Sequence, residues 1–174
     1  MSDVTSPVPP PGSPAPPISR AIYGMPMFAT LLAADLEATV SWYVDGLGFI
    51  VLFTLPGPTE SSAPALVHLR RWQFQDLLVR PAREAPRPGT GLTLSFAAVH
   101  EEIDALAQRA RAHSGGHVDN PVDTPWNTRD LTATDPDGVV VVFTAVRPSA
   151  AADPRFNDQM RRWSREQGLD PADE

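Results

Sequence analysis

The feature that most constrains the fold is an internal repeat of secondary-structure pattern. The order β-α-β-β-β occurs over about 28–81 and again over about 92–145, with little identity between the two copies. Period-two apolar alternation marks strands, and a period near 3.6 marks helices. Each half forms a sheet whose apolar face needs a cover, and two such halves cover each other. The pattern therefore predicts one α+β domain made of two βαβββ modules.

The helix of each half has one apolar face. In the first half, Asp35 precedes the helix and is placed to cap its free N–H groups. Apolar residues recur at i, i+4, i+7 and i+11 in the first helix and at i, i+3, i+4 and i+7 in the second, and both helices end at glycines. The predicted apolar faces are Leu36, Val40, Tyr43 and Leu47 in the first helix and Ile103, Leu106, Ala107 and Ala110 in the second.

The ends of the chain differ in composition from this core. Residues 1–17 hold seven prolines and predict a disordered, Pro-rich tail. The domain is expected over 18–148, with modules at about 24–82 and 91–146. A polar C-terminal extension, 149–174, follows. Its segment 155–168 predicts a short helix, because Phe156, Met160 and Trp163 recur at i, i+4 and i+7.

Composition excludes several classes of function. The net charge of −7 argues against nucleic acid as a partner and is compatible with a cationic ligand. No apolar run is long enough to cross a bilayer, and no secretory signal is visible, so a cytoplasmic protein without a membrane partner is expected. The absence of cysteine excludes disulfides, thiolate metal sites and cysteine nucleophiles.

The last strand raises the question of what it faces. The stretch "DPDGVVVVFT" (135–144) is a tight turn followed by four valines and a phenylalanine. A half-exposed strand normally alternates apolar and polar residues. Either both faces of this strand are buried, or one of them lines an apolar cavity.

Two stretches carry a resemblance to a known family. "AADLEATVSWYVDGLGFIVLF" (33–53) resembles the first-module signature of the vicinal oxygen chelate superfamily, the glyoxalase, extradiol dioxygenase and bleomycin-resistance-like proteins. The matching residues are Asp35-Leu36, Trp42-Tyr43 and Leu47-Gly48-Phe49. "RDLTATDPDGVVVVF" (129–143) is similar to the turn and last strand of the second module. The resemblance implies a glyoxalase-like, cupped mixed sheet around a cavity, with core positions for Trp42 and Tyr43, and a homodimer.

The resemblance also implies four positions where metal-dependent relatives place His, Glu or Gln. They correspond to Phe28, His68, Thr93 and Val142 in this sequence. Only one of these residues is a good ligand, whereas catalytic metal sites generally need three protein ligands. The sequence therefore predicts that the metal is absent and that no cofactor is bound.

The remaining histidines and carboxylates suggest structural roles. His113 and His117 flank Ser-Gly-Gly, which breaks the helical spacing of a two-histidine metal face. Asp135 and Asp137 are interpreted as turn residues. His68 has two open interpretations, a hydrogen-bonded structural residue or a group that binds ligand or accepts a proton near neutral pH.

Aromatic residues suggest how a ligand would be held. Flat rings stack on planar ligands, and Trp126 stands just before a strand, either stacking on ligand or covering the end of the sheet. No catalytic residue is assigned. The predicted ligand-binding set is Phe28, Phe53, His68, Trp72, Thr93, Trp126 and Val142.

These features favour a metal-independent protein that sequesters a planar or cationic small molecule, similar to the bleomycin-resistance-like branch. A second hypothesis is a glyoxalase-fold lyase, isomerase or dioxygenase-like enzyme with a non-standard site and His68 as base. A third is a module that contacts another protein through its two tails.

Overall fold

The chain is described from a computed structural model over residues 8–59, 62–84, 91–166 and 168. Two βαβββ modules follow each other, as the sequence pattern predicts. Module 1 contains β1 (Ala29–Ala33), α1 (Leu36–Ser41), β2 (Ile50–Leu55), β3 (Leu66–Arg70) and β4 (Asp76–Pro81). Module 2 contains β5 (Thr93–Ala97), α2 (Ile103–Ala112), β6 (His117–Val118), β7 (Val122–Asp123), β8 (Thr128–Thr134) and β9 (Val140–Val146). The helix α3 (Pro154–Glu166) comes last.

Each module has its own mixed sheet. The strand order is β1-β4-β3-β2 in module 1 and β5-β9-β8-β6 in module 2, where β7 also pairs with β8. The pairs β1–β4 and β5–β9 are parallel, and the other pairs are antiparallel. The two sheets thus share one topology, and the predicted two-module α+β fold is confirmed.

The helices α1 and α2 and one face of each sheet form a common core. The carboxylate of Asp35 accepts a hydrogen bond from the N–H of Ala38, so the predicted cap is present. A π-helical turn, Trp42–Gly46, extends α1 and buries the indole of Trp42 and the ring of Tyr43 completely. Edge-to-face ring contacts at 5.1–5.5 Å lead from Trp42 through Tyr43 and Phe49 to Phe96 in module 2. The predicted core roles of Trp42 and Tyr43 are therefore confirmed.

The valine strand answers the question that its sequence raised. In β9, Val141, Phe143 and Ala145 are buried, whereas Val140, Val142 and Thr144 are only half-buried. One face thus packs in the core and the other does not. We call the sheet face that points away from the core the open face of each module.

Some predicted elements differ in extent. The strand that the βαβββ pattern places after the second helix is split into the two-residue strands β6 and β7, and a 3₁₀ turn, His100–Glu102, precedes α2. Residues 1–7 of the predicted tail lie outside the described residues, and 8–17 form no helix or strand. The predicted C-terminal helix is present as α3. Among the described residues, no helix has the length and hydrophobicity that a membrane span requires.

Candidate functional site

The open face of module 1 is mainly apolar around His68. Strand register places Thr30, Leu78, His68 and Phe53 in one row across the four strands. Phe53 remains 52% exposed, and the neighbouring Leu32 and Leu55 are 52% and 46% exposed. The structure therefore brings two predicted site residues, His68 and Phe53, together as cross-strand neighbours.

A buried carboxylate holds His68. The Nε2 atom of His68 lies 2.7 Å from Oδ1 of Asp76, whose side chain is fully buried. The same Oδ1 accepts a hydrogen bond from Nε of buried Arg70 at 2.7 Å. The hydroxyl of Tyr23 donates to Oδ2 at 2.9 Å, and burial raises the pKa of this phenol. Asp76 is thus the hub of a polar network that fixes one ring nitrogen of His68.

This network also fastens the segment before β1. The Nη1 atom of Arg70 donates to the carbonyl oxygens of Ser19 and Ala21 at 3.1 and 2.7 Å. The Arg70 guanidinium lies over the Tyr23 ring, 4.2 Å from its centroid. Residues 19–23 therefore cover the end of the open face of module 1.

The open face of module 2 is rich in hydroxyl groups. Register places Ser95, Val142 and Thr132 in one row, and Ala97, Thr144 and Asp130 in the next. One oxygen of Asp130, Oδ1, accepts hydrogen bonds from the hydroxyls of Thr128 and Thr144, both at 2.7 Å. Among the described residues no donor reaches its second oxygen, and no cation pairs with it. Within the described part of the chain, Asp130 is thus a carboxylate without an ionic partner, two residues from Val142 along this face.

Asp130 was not among the predicted site residues. The alternation that buries Leu131 and Ala133 in β8 also puts Asp130 and Thr132 on the opposite face. The alternation of polar and apolar residues over 130–133 is visible in the sequence. It places Asp130 on the same strand face as Thr132, and this was the signal that could have identified Asp130 as a site residue.

Two further predicted residues meet at the junction of the modules. Phe28 and Thr93 line the same pocket of about 240 Å³, between the start of β1 and the start of β5. Phe28 is 46% exposed, and Ser95, on the open face of module 2, lies in the same lining. The pocket connects the starts of the two modules without including His68 or Val142.

The two tryptophans are placed apart from this set. Trp72 is 5% exposed, and its ring lies 4.6 Å from the Arg71 guanidinium, which burial leaves with a pKa of about 10. The ring of Trp72 is therefore buried in this structure. Trp126 is 53% exposed in the loop before β8, next to buried Asn127.

The acidic turn of module 2 has a structural role, as predicted. Buried Asp135 accepts hydrogen bonds from the N–H groups of Asp137 and Val139 and from the Tyr43 hydroxyl. Burial raises the pKa values of both Asp135 and Tyr43. Asp137 accepts from the N–H of Ala34 and the hydroxyl of Thr39, at 2.8 and 2.7 Å. This turn joins module 2 to the β1–α1 corner of module 1.

The side chains at the four family metal positions do not form a divalent-metal donor set. Phenylalanine and valine offer no lone pair, threonine offers a weak neutral oxygen, and the Nε2 of His68 is hydrogen-bonded to Asp76. Among the described residues, no cluster of three His, Asp or Glu side chains is arranged to hold a metal ion. His113 and His117 have separate partners, Ser41 and Asp119. The residues present do not fit the metal that the fold family implies.

Comparison with known proteins fixes the family. The sequence profile of the Glyoxalase/Bleomycin resistance protein/Dioxygenase superfamily matches residues 27–143. The chain belongs to this superfamily. No curated protein matches it.

Solved structures share the fold at low identity. A glyoxalase/bleomycin resistance protein from Streptomyces sp. CB03234 is 25% identical, with 67% of this chain and 96% of that chain covered and a TM-score of 0.51. TioX from Micromonospora sp. ML1 is 21% identical, with 70% and 98% covered and a TM-score of 0.52. A mutant of the fosfomycin resistance protein FosX from Listeria monocytogenes, complexed with Mn(II) and 1S,2S-dihydroxypropylphosphonic acid, is 16% identical, with 72% and 94% covered and a TM-score of 0.57. Similar scaffolds thus occur both in resistance proteins and in a metal-containing complex.

Proposed function

We propose that this chain is a metal-independent protein that binds a planar, cationic small molecule, in the manner of an antibiotic-sequestering relative. The observation that carries the proposal is the contrast between the two open faces. Module 1 offers the ring of Phe53 beside exposed leucine side chains, and module 2 offers hydroxyl groups around Asp130, whose carboxylate pairs with no cation among the described residues. A ligand with a flat ring system and one positive charge complements both.

The chemistry of binding follows from these two surfaces. The ring of Phe53 and the side chains of Leu78 and Thr30 supply apolar contact, and desolvation of a flat ligand favours binding there. A ligand ammonium or guanidinium donates to Oδ2 of Asp130, while the hydroxyls of Thr128 and Thr144 keep their bonds to Oδ1 and can accept from ligand hydroxyls. This interaction needs neither a nucleophile nor a metal.

A homodimer is part of the proposal. Leu32, Phe53 and Leu55 form an exposed apolar patch on the open face of module 1, and such patches in isolated chains commonly mark interfaces. A two-fold dimer would bring the open face of module 1 opposite the open face of module 2 of the second copy. The ligand cleft would then lie between them.

A second candidate is a glyoxalase-fold lyase or isomerase, with His68 as a base. The observation that favours it is the 2.7 Å contact with buried Asp76, because a carboxylate that orients a histidine is a recurring arrangement in general-base catalysis. A His68→Gln variant that binds ligand normally but loses all turnover would support this candidate. If His68→Gln keeps both ligand binding and turnover, this candidate is excluded.

A thermal-shift screen tests the main proposal. Chelator-treated protein is screened against cationic polycyclic and glycopeptide antibiotics, neutral analogues, and divalent metals alone. A cationic ligand at about 100 times its Kd should stabilise the fold by about 2.7 kcal/mol. Stabilisation by a stoichiometric metal, with no response to any cationic compound, would contradict the proposal.

A further inference from the structure

The turn between β3 and β4 holds a phenylalanine in a strained backbone conformation. Phe74 has a φ of 67°, in the left-handed region that bulky side chains rarely adopt. The N–H of Gln75 donates to the carbonyl oxygen of Trp72 at 3.0 Å, so Phe74 is the third residue of a four-residue turn. Glycine or asparagine is the usual residue at a positive φ there. A bulky residue that is kept in such a conformation points to a function for its side chain.

Two contacts with the segment before β1 hold Phe74 in place. The N–H of Phe74 donates to the hydroxyl oxygen of Tyr23 at 2.7 Å, and the same hydroxyl donates to Asp76. The rings of Tyr23 and Phe74 meet edge to face, with their centroids 5.3 Å apart. Phe74 is nevertheless 44% exposed, so burial in the core does not account for its conformation.

Phe74 lines the pocket of about 240 Å³ between the starts of β1 and β5. We call this cavity the junction pocket. Phe28 and Phe96 add two further aromatic residues to its lining, and methionine, leucine and alanine side chains complete its apolar walls. A dry apolar cavity of about 150 Å³ holds benzene, so the junction pocket has room for one or two fused rings.

The polar side chains of the lining favour an uncharged ligand. Both oxygens of Asp76 and both polar atoms of the Gln75 amide are already hydrogen-bonded. Among the described residues, the hydroxyls of Thr93 and Ser95 in this lining have no hydrogen-bond partner. A charged ligand would therefore lose its hydration without gaining a counter-ion, whereas one ligand hydroxyl or carbonyl has two hydroxyl partners.

We propose that the junction pocket is a second ligand site, which binds an uncharged aromatic molecule of one or two fused rings against the ring of Phe74. Aromatic walls favour a flat ring over an aliphatic one of the same size. The strained turn then has a purpose, because it places an aromatic ring in the pocket wall. This site is separate from the proposed site for a cationic ligand, since neither Phe53 nor Asp130 belongs to its lining.

Equilibrium dialysis of the full chain against 2-naphthol tests the proposal. Decahydro-2-naphthol is the matched probe, because it has the same carbon skeleton and hydroxyl group without the flat rings. One 2-naphthol should bind per chain, about fivefold or more tightly than the saturated analogue. Absence of 2-naphthol binding, or equal binding of the two probes, would overturn the proposal.

Variants show whether the probe occupies the junction pocket. Phe74→Ala should raise the Kd of 2-naphthol by about 10-fold or more, and Phe74→Tyr, which keeps the ring, should change it less than about threefold. The matched control is Trp163→Ala, which removes a 50% exposed aromatic side chain on α3 outside the pocket and should leave Kd unchanged. Equal effects of Phe74→Ala and Trp163→Ala would overturn the assignment. The assignment also fails if Asp130→Asn weakens binding as much as Phe74→Ala, because the probe would then lie on the open face.

Thermal unfolding separates loss of the ring from loss of the fold. Glycine tolerates a positive φ and alanine does not, so Phe74→Gly should melt about 2–4 °C above Phe74→Ala, the reverse of the usual order. Both variants should lose 2-naphthol binding equally, which a purely structural role of Phe74 does not predict. A lower melting temperature for Phe74→Gly, or unchanged binding by it, would overturn the inference. Failure of the cationic screen would leave these results unaffected, because the probe carries no charge.

Discussion

Removal of the Asp76 carboxylate should be among the most destabilising single changes outside the apolar core. Its partner Arg70 has a side chain that is 1% exposed, so Asp76→Ala leaves a buried guanidinium without its counter-ion. Breaking a buried ion pair in this way typically costs about 3–5 kcal/mol. Arg70 keeps its bonds to the carbonyls of Ser19 and Ala21, which places the cost near the lower end, at about 3 kcal/mol. His68 and Tyr23 each lose one bond, adding about 1 kcal/mol in total because both reach solvent.

Urea unfolding, followed by tryptophan fluorescence, measures this cost. A loss of about 4 kcal/mol with a slope near 2 kcal/mol/M should lower the midpoint by about 2 M. Asp76→Asn retains one acceptor oxygen and the same shape, so we expect about half the loss. Replacing both partners, as Arg70→Met with Asp76→Leu, should recover much of the stability, because no buried charge remains. A midpoint for Asp76→Ala within 0.3 M of the original, roughly 0.6 kcal/mol at that slope, would refute the role of Asp76 as hub.

Three further predictions concern the joint between the modules. Tyr43→Phe should cost about 1 kcal/mol at pH 7 through the lost bond to Asp135. Because burial raises the pKa of Tyr43 in the folded state, its contribution to the free energy of unfolding is complete below about pH 10 and is lost as the pH rises toward that raised pKa. Alkaline unfolding curves of Tyr43→Phe should therefore show a smaller loss of stability above about pH 10 than those of the original protein. Asp137→Ala removes two hydrogen bonds to the β1–α1 corner and should lower the free energy of unfolding by about 2 kcal/mol in urea. An unchanged urea midpoint would contradict the claim that these bonds stabilise the contact between the modules. Gly116→Ala places a methyl group into the Trp42 indole and should lower stability by about 2–3 kcal/mol by calorimetry, whereas a neutral effect would mean that this corner yields easily.

The sequence was sufficient for the architecture because its signals are local. The Asp35 cap, the apolar spacing of both helices and the Asp135–Gly138 turn each act within a few residues, and all appear where they were predicted. Given the helices and strands that periodicity predicts, few arrangements bury the apolar faces of both sheets. The burial alternation of β9 also follows from strand geometry once one face of the sheet packs in the common core.

The candidate site was less predictable because it depends on contacts between distant segments. The bond from Tyr23 to Asp76 spans 53 residues, and nothing local in "ISRAIYG" (18–24) marks it as a cover for a sheet face. Trp72 was assigned to ligand on its residue type, and its burial under Arg71 arises from the packing of two modules. Predicting Asp130 required knowing that its carboxylate forms no ion pair with any described residue, which depends on tertiary contacts.

The central claim is that ligand binding depends on the Asp130 carboxylate and not on a metal. The most direct test is calorimetric titration of chelator-treated protein with the best cationic compound from the screen, comparing Asp130→Asn with Asp123→Asn. Both variants remove one negative charge, but Asp123 is paired with Arg129 and Arg147 away from the open face. Asp130→Asn should raise Kd by about 30-fold, equivalent to about 2 kcal/mol, with Asp123→Asn changing it less than about threefold. Equal effects of the two variants, or binding that appears only when a divalent metal is restored, would contradict the account.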